Sequence, residues 1–336
     1  MIKYLKKLEN YPIGISGTCL AFITLSNSFK IKGIDYIKPV AIALAVGMLV
    51  LMIGKVVLYP RKFYSEMKDP VLGTYYPTLA MVTWLVAAFF YSEAPRICTV
   101  LWLAGVVWHY FIVGFYTYLR VKERNFKNVV PTAFIVYTGM ITGSIASKGM
   151  VGVEPIAKFM LIFGFVFYTI LLPFVLYIVF RSEKMEDHKI PTIGIICSPA
   201  PLGVVGMLAL YKNPNPIMLW WLIITGLILL PVVYSYIVKE FKKGFKPIHA
   251  TFTFPLAIGT LASYQLGAYY AGLHCANLAT VFTFLGNVEI FITSYVVFKV
   301  LFNFLKLFVN AINPVAEERL EKDIIEIDEI LSTEAK

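Results

Sequence analysis

Charge is scarce in this 336-residue chain: Asp, Glu, Lys and Arg together make up 15% of it, against about 25% in ordinary soluble domains. That shortfall excludes an ordinary water-soluble domain. The four cysteines, Cys19, Cys98, Cys197 and Cys275, contain no Cys-x-x-Cys pair and each sits in or beside a different apolar stretch. They read as small buried hydrophobes, which leaves no disulfide framework and no zinc site. The sequence also lacks HExxH, GxSxG and P-loop motifs and paired intramembrane carboxylates, so no enzyme chemistry, metal or cofactor is expected.

What fills the chain instead is apolar sequence: 59% of residues are hydrophobic and the mean hydropathy is +0.74. An α-helix needs about 20 apolar residues to cross a hydrocarbon core of about 30 Å. Ten such runs follow one another, at 11–28, 40–59, 73–91, 96–119, 129–147, 157–180, 190–211, 217–238, 249–270 and 276–305. The first follows a charged start, MIKYLKKLEN, but it runs long, is broken by Pro12, Gly14 and Gly17, and has no small-x-small cleavage pattern. It reads as a membrane helix and not as a signal peptide.

The net charge of +10 needs no nucleic-acid partner, because its placement has a simpler cause. Of the 30 Lys and Arg, 22 fall in the termini and the loops on one side of the ten runs and only seven in the opposite loops. The positive-inside rule makes the richer side cytoplasmic, with both termini inside and the basic loops against anionic lipid headgroups. The chain thus divides into a cytoplasmic N-terminus (1–10), a ten-helix membrane domain (11–305) and a charged tail (306–336). The tail sequence NPVAEERLEKDIIEIDEILSTEAK alternates acid clusters with Ile and Leu at helical spacing, which predicts a short amphipathic helix.

The ten runs fall into two classes. The odd-numbered runs hold 17 Gly and Pro against 9 in the even-numbered ones, and none of the odd runs contains Asp, Glu, Lys or Arg. Membrane backbone broken by Pro and Gly is tolerated where it faces protein or a cavity instead of lipid. This predicts an all-α membrane protein of five helical hairpins, the odd helices lining a nearly neutral pore and the even helices outside; close packing through small residues would give the same counts. The candidate pore-lining or kink positions are Pro12, Gly14, Gly17, Pro77, Pro131, Gly139, Pro199, Pro201 and Pro255. Two ionisable groups stand in even runs. Glu289 reads as the partner of Lys299 or of an interhelical hydrogen bond, with a proton-coupling site as the alternative. His109, between Trp108 and Tyr110, reads as an interhelical hydrogen-bonding group, with proton transfer as the alternative.

The motifs YPIGISGTCLAFITLSNSF, DPVLGTYYPTLAM, CSPAPLGVVG and FTFPLAIGTLA, in this order, resemble the tellurite-resistance/dicarboxylate transporter family, which includes bacterial TehA and plant guard-cell slow anion channels. The resemblance covers about residues 10–305. It implies a homotrimer with one pore in each subunit and a phenylalanine gate ahead of the proline in the ninth helix. Here the matching residue is Phe254, with Phe252 as the alternative if the register slips.

Three functions follow as expectations. The first is a passive, anion-selective channel for chloride, nitrate or similar monovalent anions in the plasma (inner) membrane. The second is a C4-dicarboxylate (malate) carrier, perhaps proton-coupled, although the odd helices offer no Arg or Lys to clamp two carboxylates. The third is a membrane scaffold whose acidic tail recruits a partner.

Overall fold

The computed structural model describes residues 7–124, 129–180 and 185–312, and the regular structure among the described residues is entirely helical. A helix satisfies its backbone N–H and C=O groups within its own segment, which hydrocarbon demands. In chain order the α-helices are α1 (Ile15–Ile31), α2 (Ile37–Leu58), α3 (Pro60–Lys68), α4 (Pro77–Phe89), α5 (Pro95–Glu123) and α6 (Ala133–Thr138). There follow α7 (Ile141–Ala146), α8 (Glu154–Phe180), α9 (Pro199–Leu210), α10 (Pro216–Phe241), α11 (Thr253–Gly272) and α12 (Ala276–Ile312). Short 3-10 helices, Leu72–Tyr75, Ile190–Cys197 and Pro247–Phe252, lead into α4, α9 and α11.

Seven helical stretches are long and apolar enough to cross a membrane: 37–58, 72–89, 95–123, 154–180, 190–210, 216–241 and 276–310. The three other apolar runs coincide with α1, with α6 and α7, and with α11. Burial separates the stretches. Only 28–44% of each apolar window is buried in α2, α5, α8, α10 and α12, against 67% and 78% in the stretches that end in α4 and α9. α1 is buried without a break from Ile15 to Ser26, and α11 from Thr253 to Ile258. The outer helices present Val50, Val107, Phe174, Ile228 and Phe291 outward, a surface suited to hydrocarbon and not to water. α12 continues past Leu305 to Ile312, and the amphipathic helix expected for the tail lies outside the described residues from 313 onward.

The prolines sit differently from the kinks that the sequence suggests. Pro77 and Pro199 are the first residues of α4 and α9, Pro201 and Pro255 are each the third residue of theirs, and Pro12 and Pro131 lie in turns ahead of α1 and α6. In a first turn the missing N–H has no intrahelical partner to lose, so these prolines mark helix starts instead of bending helices. Among the described residues the prolines past the first turn of an α-helix are on the outer set, Pro173 in α8 and Pro231 in α10. Gly139 separates α6 from α7.

Small residues let the layers close. A Cβ on Gly105 of α5 would fall 2.5 Å from Trp84 Nε1, so the indole lies directly on that backbone. Trp84 Nε1 donates to Trp102 O at 2.9 Å, and Trp102 Nε1 donates to Gly143 O at 3.0 Å, tying α4, α5 and α7 together. α11 and α12 approach in the same way, Gly267 against Thr283 and Gly286 against Tyr264.

Candidate functional site

Five buried stretches enclose one cavity. α1 contributes Gly17 and Leu20; the 72–89 stretch Tyr75, Thr78 and Met81; α6 and its end Phe134, Ile135, Thr138 and Gly139. The 190–210 stretch adds Ile195, Ser198 and Leu202, and the last inner stretch adds Ala250, Thr251 and Phe254. The space left to the centre of a water-sized sphere is ≈ 20 Å³. A single water needs about 10–15 Å³ on that measure, so the cavity is closed to anything much larger.

The lining carries no charged side chain. Its polar groups are hydroxyls, and the backbone joints around it orient most of them. Thr138 Oγ1 donates to Phe134 O at 2.7 Å and Thr251 Oγ1 to Pro191 O at 2.6 Å. Thr78 Oγ1 donates to Tyr75 O, and its oxygen also meets the hydroxyl of Ser16 on α1. Two groups differ. The Tyr75 hydroxyl is buried with no partner, and Ser198 Oγ makes no hydrogen bond among the described residues. The cavity thus holds two O–H groups available to an acceptor, at the level where α4, α9 and α11 begin.

Phe254 is 7% exposed and lines this space, whereas Phe252 is fully buried elsewhere. The Phe252 ring covers Gly194, where a Cβ would come within 2.5 Å of it, and sits near the rings of Phe241 and His249. Of the two registers open in the sequence, the structure brings Phe254 to the cavity. Gly17 and Gly139 join it there; Pro12, Gly14, Pro77, Pro131 and Pro199 stand at the helix starts around it but do not line it. Pro201 and Pro255 face a separate cavity beside α10 and α12.

The ionisable groups are held by structure. His109 Nε2 meets Val136 O at 2.9 Å across α5 and α6, and its ring stacks on Trp84 at 5.3 Å. Glu289 Oε2 accepts from Ser263 Oγ at 2.8 Å, an interhelical bond. Lys299 is not its partner, because Lys299 Nζ donates to Tyr295 OH at 3.0 Å. Beyond the end of α10, Lys243 Nζ bonds Glu240 Oε1 at 2.6 Å, and that hydrogen bond raises the lysine's pKa above its ordinary value.

One charged pair was not visible as such in the sequence. Lys55, which the charge count places with the basic loops, is 1% exposed. Its Nζ donates to Glu66 Oε1 at 2.9 Å and to Tyr11 O at 2.8 Å, and Tyr76 OH donates to Glu66 Oε2 at 2.6 Å. This pair fastens α3 to the starts of two inner stretches, one residue from cavity-lining Tyr75. Among the described residues no group of three or more His, Cys, Asp or Glu is placed to hold a metal ion.

Comparison with known proteins agrees with this architecture. Two uncharacterised transporters of Methanocaldococcus jannaschii are each 23% identical to the chain. One aligns over 296 residues, 77% of this chain and 84% of the relative, and the other over 248 residues, 65% and 67%. The profile of the SLAC1 family, described as voltage-dependent anion channel, matches residues 10–304. With its multi-pass helical body and that match across nearly its whole described length, the chain belongs to the SLAC1 family of membrane anion channels and transporters, the tellurite-resistance/dicarboxylate transporter group.

Proposed function

We propose that the chain is an anion-selective channel for small monovalent anions such as chloride and nitrate, with the central cavity as its pore and Phe254 as its gate. The observation that carries this reading is the placement of Phe254 in an uncharged, hydroxyl-lined cavity to which all five buried stretches contribute. In this reading five helical hairpins stand in a ring, inner helices around the pore and outer helices toward lipid. The ring of Phe254 leaves too little space for an anion until it moves aside. Tyr75 and Ser198 supply O–H donors to a partly dehydrated ion, and the starts of α4, α9 and α11 add the favourable end of their dipoles. Selectivity needs no fixed cation, which would hold the ion too tightly to conduct.

The homotrimer, the plasma-membrane location and the cytoplasmic placement of both termini come from the family resemblance and the Lys and Arg distribution. A C4-dicarboxylate carrier needs two cationic or multiply donating clamps. Against it stands a cavity with no Arg or Lys in its lining.

The deciding experiment is flux into proteoliposomes for wild type and Phe254→Ala, with chloride, nitrate and malate gradients and with or without a pH gradient. Chloride or nitrate flux that rises in the variant and ignores the pH gradient upholds the channel. Saturable malate uptake by wild type that Phe254→Ala abolishes overturns it in favour of the carrier.

A further inference from the structure

A second cavity lies behind the gate helix. Pro255, Gly259 and Ser263 of α11 line it together with Glu289 of α12, Leu227 of α10 and Pro201 of α9. It leaves ≈ 50 Å³ to the centre of a water-sized sphere, several times what one water needs. Leu227 in its lining is 44% exposed on the outward side of α10, so one edge of the cavity lies at the surface suited to hydrocarbon.

Its inner end is chemically unfinished. Glu289 is 4% exposed, and among the described residues its one hydrogen bond is the one from Ser263 to Oε2. No cation lies within ion-pair distance of it among those residues, since Lys299 is turned to Tyr295 and to the Phe241 ring. Oε1 overlooks Gly259: a Cβ there would stand 4.0 Å from that oxygen and touch nothing else within 4 Å. The missing side chain keeps open the space in front of the carboxyl.

Depth restricts what can fill that space. Glu289 lies about 20 Å along α12 from Ala276 at 1.5 Å per residue, well inside a hydrocarbon core of about 30 Å. A lipid headgroup stays at the interface. An inorganic cation would find only one carboxyl and one hydroxyl where hard cations want six or more oxygens, and an anion would meet the wrong charge. What complements an isolated carboxyl at the end of an apolar slot is an ammonium head on a short apolar body. Its charge-assisted hydrogen bond to Oε1 is roughly twice as strong as the neutral one a hydroxyl head would make.

We propose that this side cavity is a binding site, entered from the bilayer, for a small lipophilic amine whose ammonium group pairs with Glu289. The site does not depend on the channel reading. One consequence does: Pro255 lines this cavity while its neighbour Phe254 lines the central one, so an occupant presses on the residue next to the gate.

Calorimetric titration of the purified full-length protein in detergent, with n-hexylamine and n-hexanol as probes, tests the proposal without requiring flux. Wild type should bind hexylamine saturably and about tenfold more tightly than hexanol. Glu289→Gln should lose that preference, Ser263→Ala should keep it, and Gly259→Leu, which fills the space before Oε1, should lose both ligands. Equal binding of amine and alcohol in wild type, saturation unchanged by Gly259→Leu, or no saturable binding at all overturns the site. If Glu289→Gln does not fold, Gly259→Leu and the amine-to-alcohol ratio of wild type decide. An effect of hexylamine on chloride flux would then be sought separately; its absence alongside intact binding counts against the gate and not against the site.

Discussion

Phe254 and Pro255 are neighbours in sequence yet stand in different cavities, the phenylalanine in the central one and the proline in the one beside Glu289. α11 begins at Thr253, so both fall in its first turn, where the preceding 3-10 helix hands over to α geometry. Successive residues in an α-helix point about 100° apart, and here that angle separates two compartments. The side chain of Phe254 is thus carried on a helix start and shares the central cavity with the rings of Tyr75 and Phe134.

The first prediction concerns the Phe254 ring. If Phe254 is the gate, as proposed, Phe254→Ala should raise chloride or nitrate flux by roughly tenfold or more, with Phe254→Leu intermediate, because conduction past an apolar constriction follows its width and wetting. Flux in proteoliposomes with matched protein content is the check. Unchanged flux in both variants would remove Phe254 from the gate.

The cavity hydroxyls give a prediction in which stability and activity move apart. The Tyr75 hydroxyl is buried without a partner, so Tyr75→Phe removes an unsatisfied group and should leave the melting temperature unchanged or higher. A hydrogen bond to a charged group contributes about 1.5–3 kcal/mol, so the same substitution in a Phe254→Ala background should lower anion flux severalfold. Ser198→Ala should act in the same direction. Flux loss accompanied by a lower melting temperature would point to packing instead.

Much of this arrangement was legible beforehand because lipid imposes strict rules on sequence. The uncharged odd runs are the buried stretches, since buried membrane helices can spare charge but need Gly and Pro for close approach and for helix starts. The cavity positions Gly17, Thr78, Thr138, Ser198 and Phe254 recur at intervals of 61, 60, 60 and 56 residues, a repeat that could have named Ser198 and Thr78 as lining residues. Composition alone did not tell kinks from helix starts, because a proline is tolerated both in a first turn and within a membrane helix, and only its place relative to the helix start separates the two. Nor could it separate Pro201 and Pro255 from the central cavity, since a single residue step changes the face of a helix. Lys55 was hidden by its position at the end of an apolar run, where a lysine ordinarily extends its amine to the interface.

Lys55 and Glu66 lead to a third prediction. Removing one partner of a buried pair strands the other charge and typically costs about 3–5 kcal/mol, whereas replacing both with apolar groups of similar volume costs far less. Lys55→Met and Glu66→Leu should each lower the melting temperature of the purified protein markedly, and the double variant should recover most of the loss. Additive losses in the double variant would mean that the two side chains do not act as a pair. Tyr76→Phe, which takes one hydrogen bond from Glu66 Oε2, should cost only about 1–3 kcal/mol.

The contact between Trp84 and Gly105 tests whether the inner and outer layers are as tightly joined as the geometry requires. A Cβ at Gly105 would stand 2.5 Å from Trp84 Nε1, and Gly143 also abuts the indole, where a Cβ would come within 3.0 Å of the ring. The fully buried indole touches both backbones and stacks on His109, which leaves it little room to step aside, so Gly105→Ala should cost about 1–3 kcal/mol, the usual penalty for overpacking. Trp84→Phe opens room but forfeits the hydrogen bond to Trp102 O and much of the ring's packing, so it too should destabilise. The combination is informative: the smaller ring gives the new methyl space, so Gly105→Ala should cost less in the Trp84→Phe background than in wild type. Thermal melting of the four proteins in one detergent measures the coupling, and strict additivity would show that the indole is free to move away from α5.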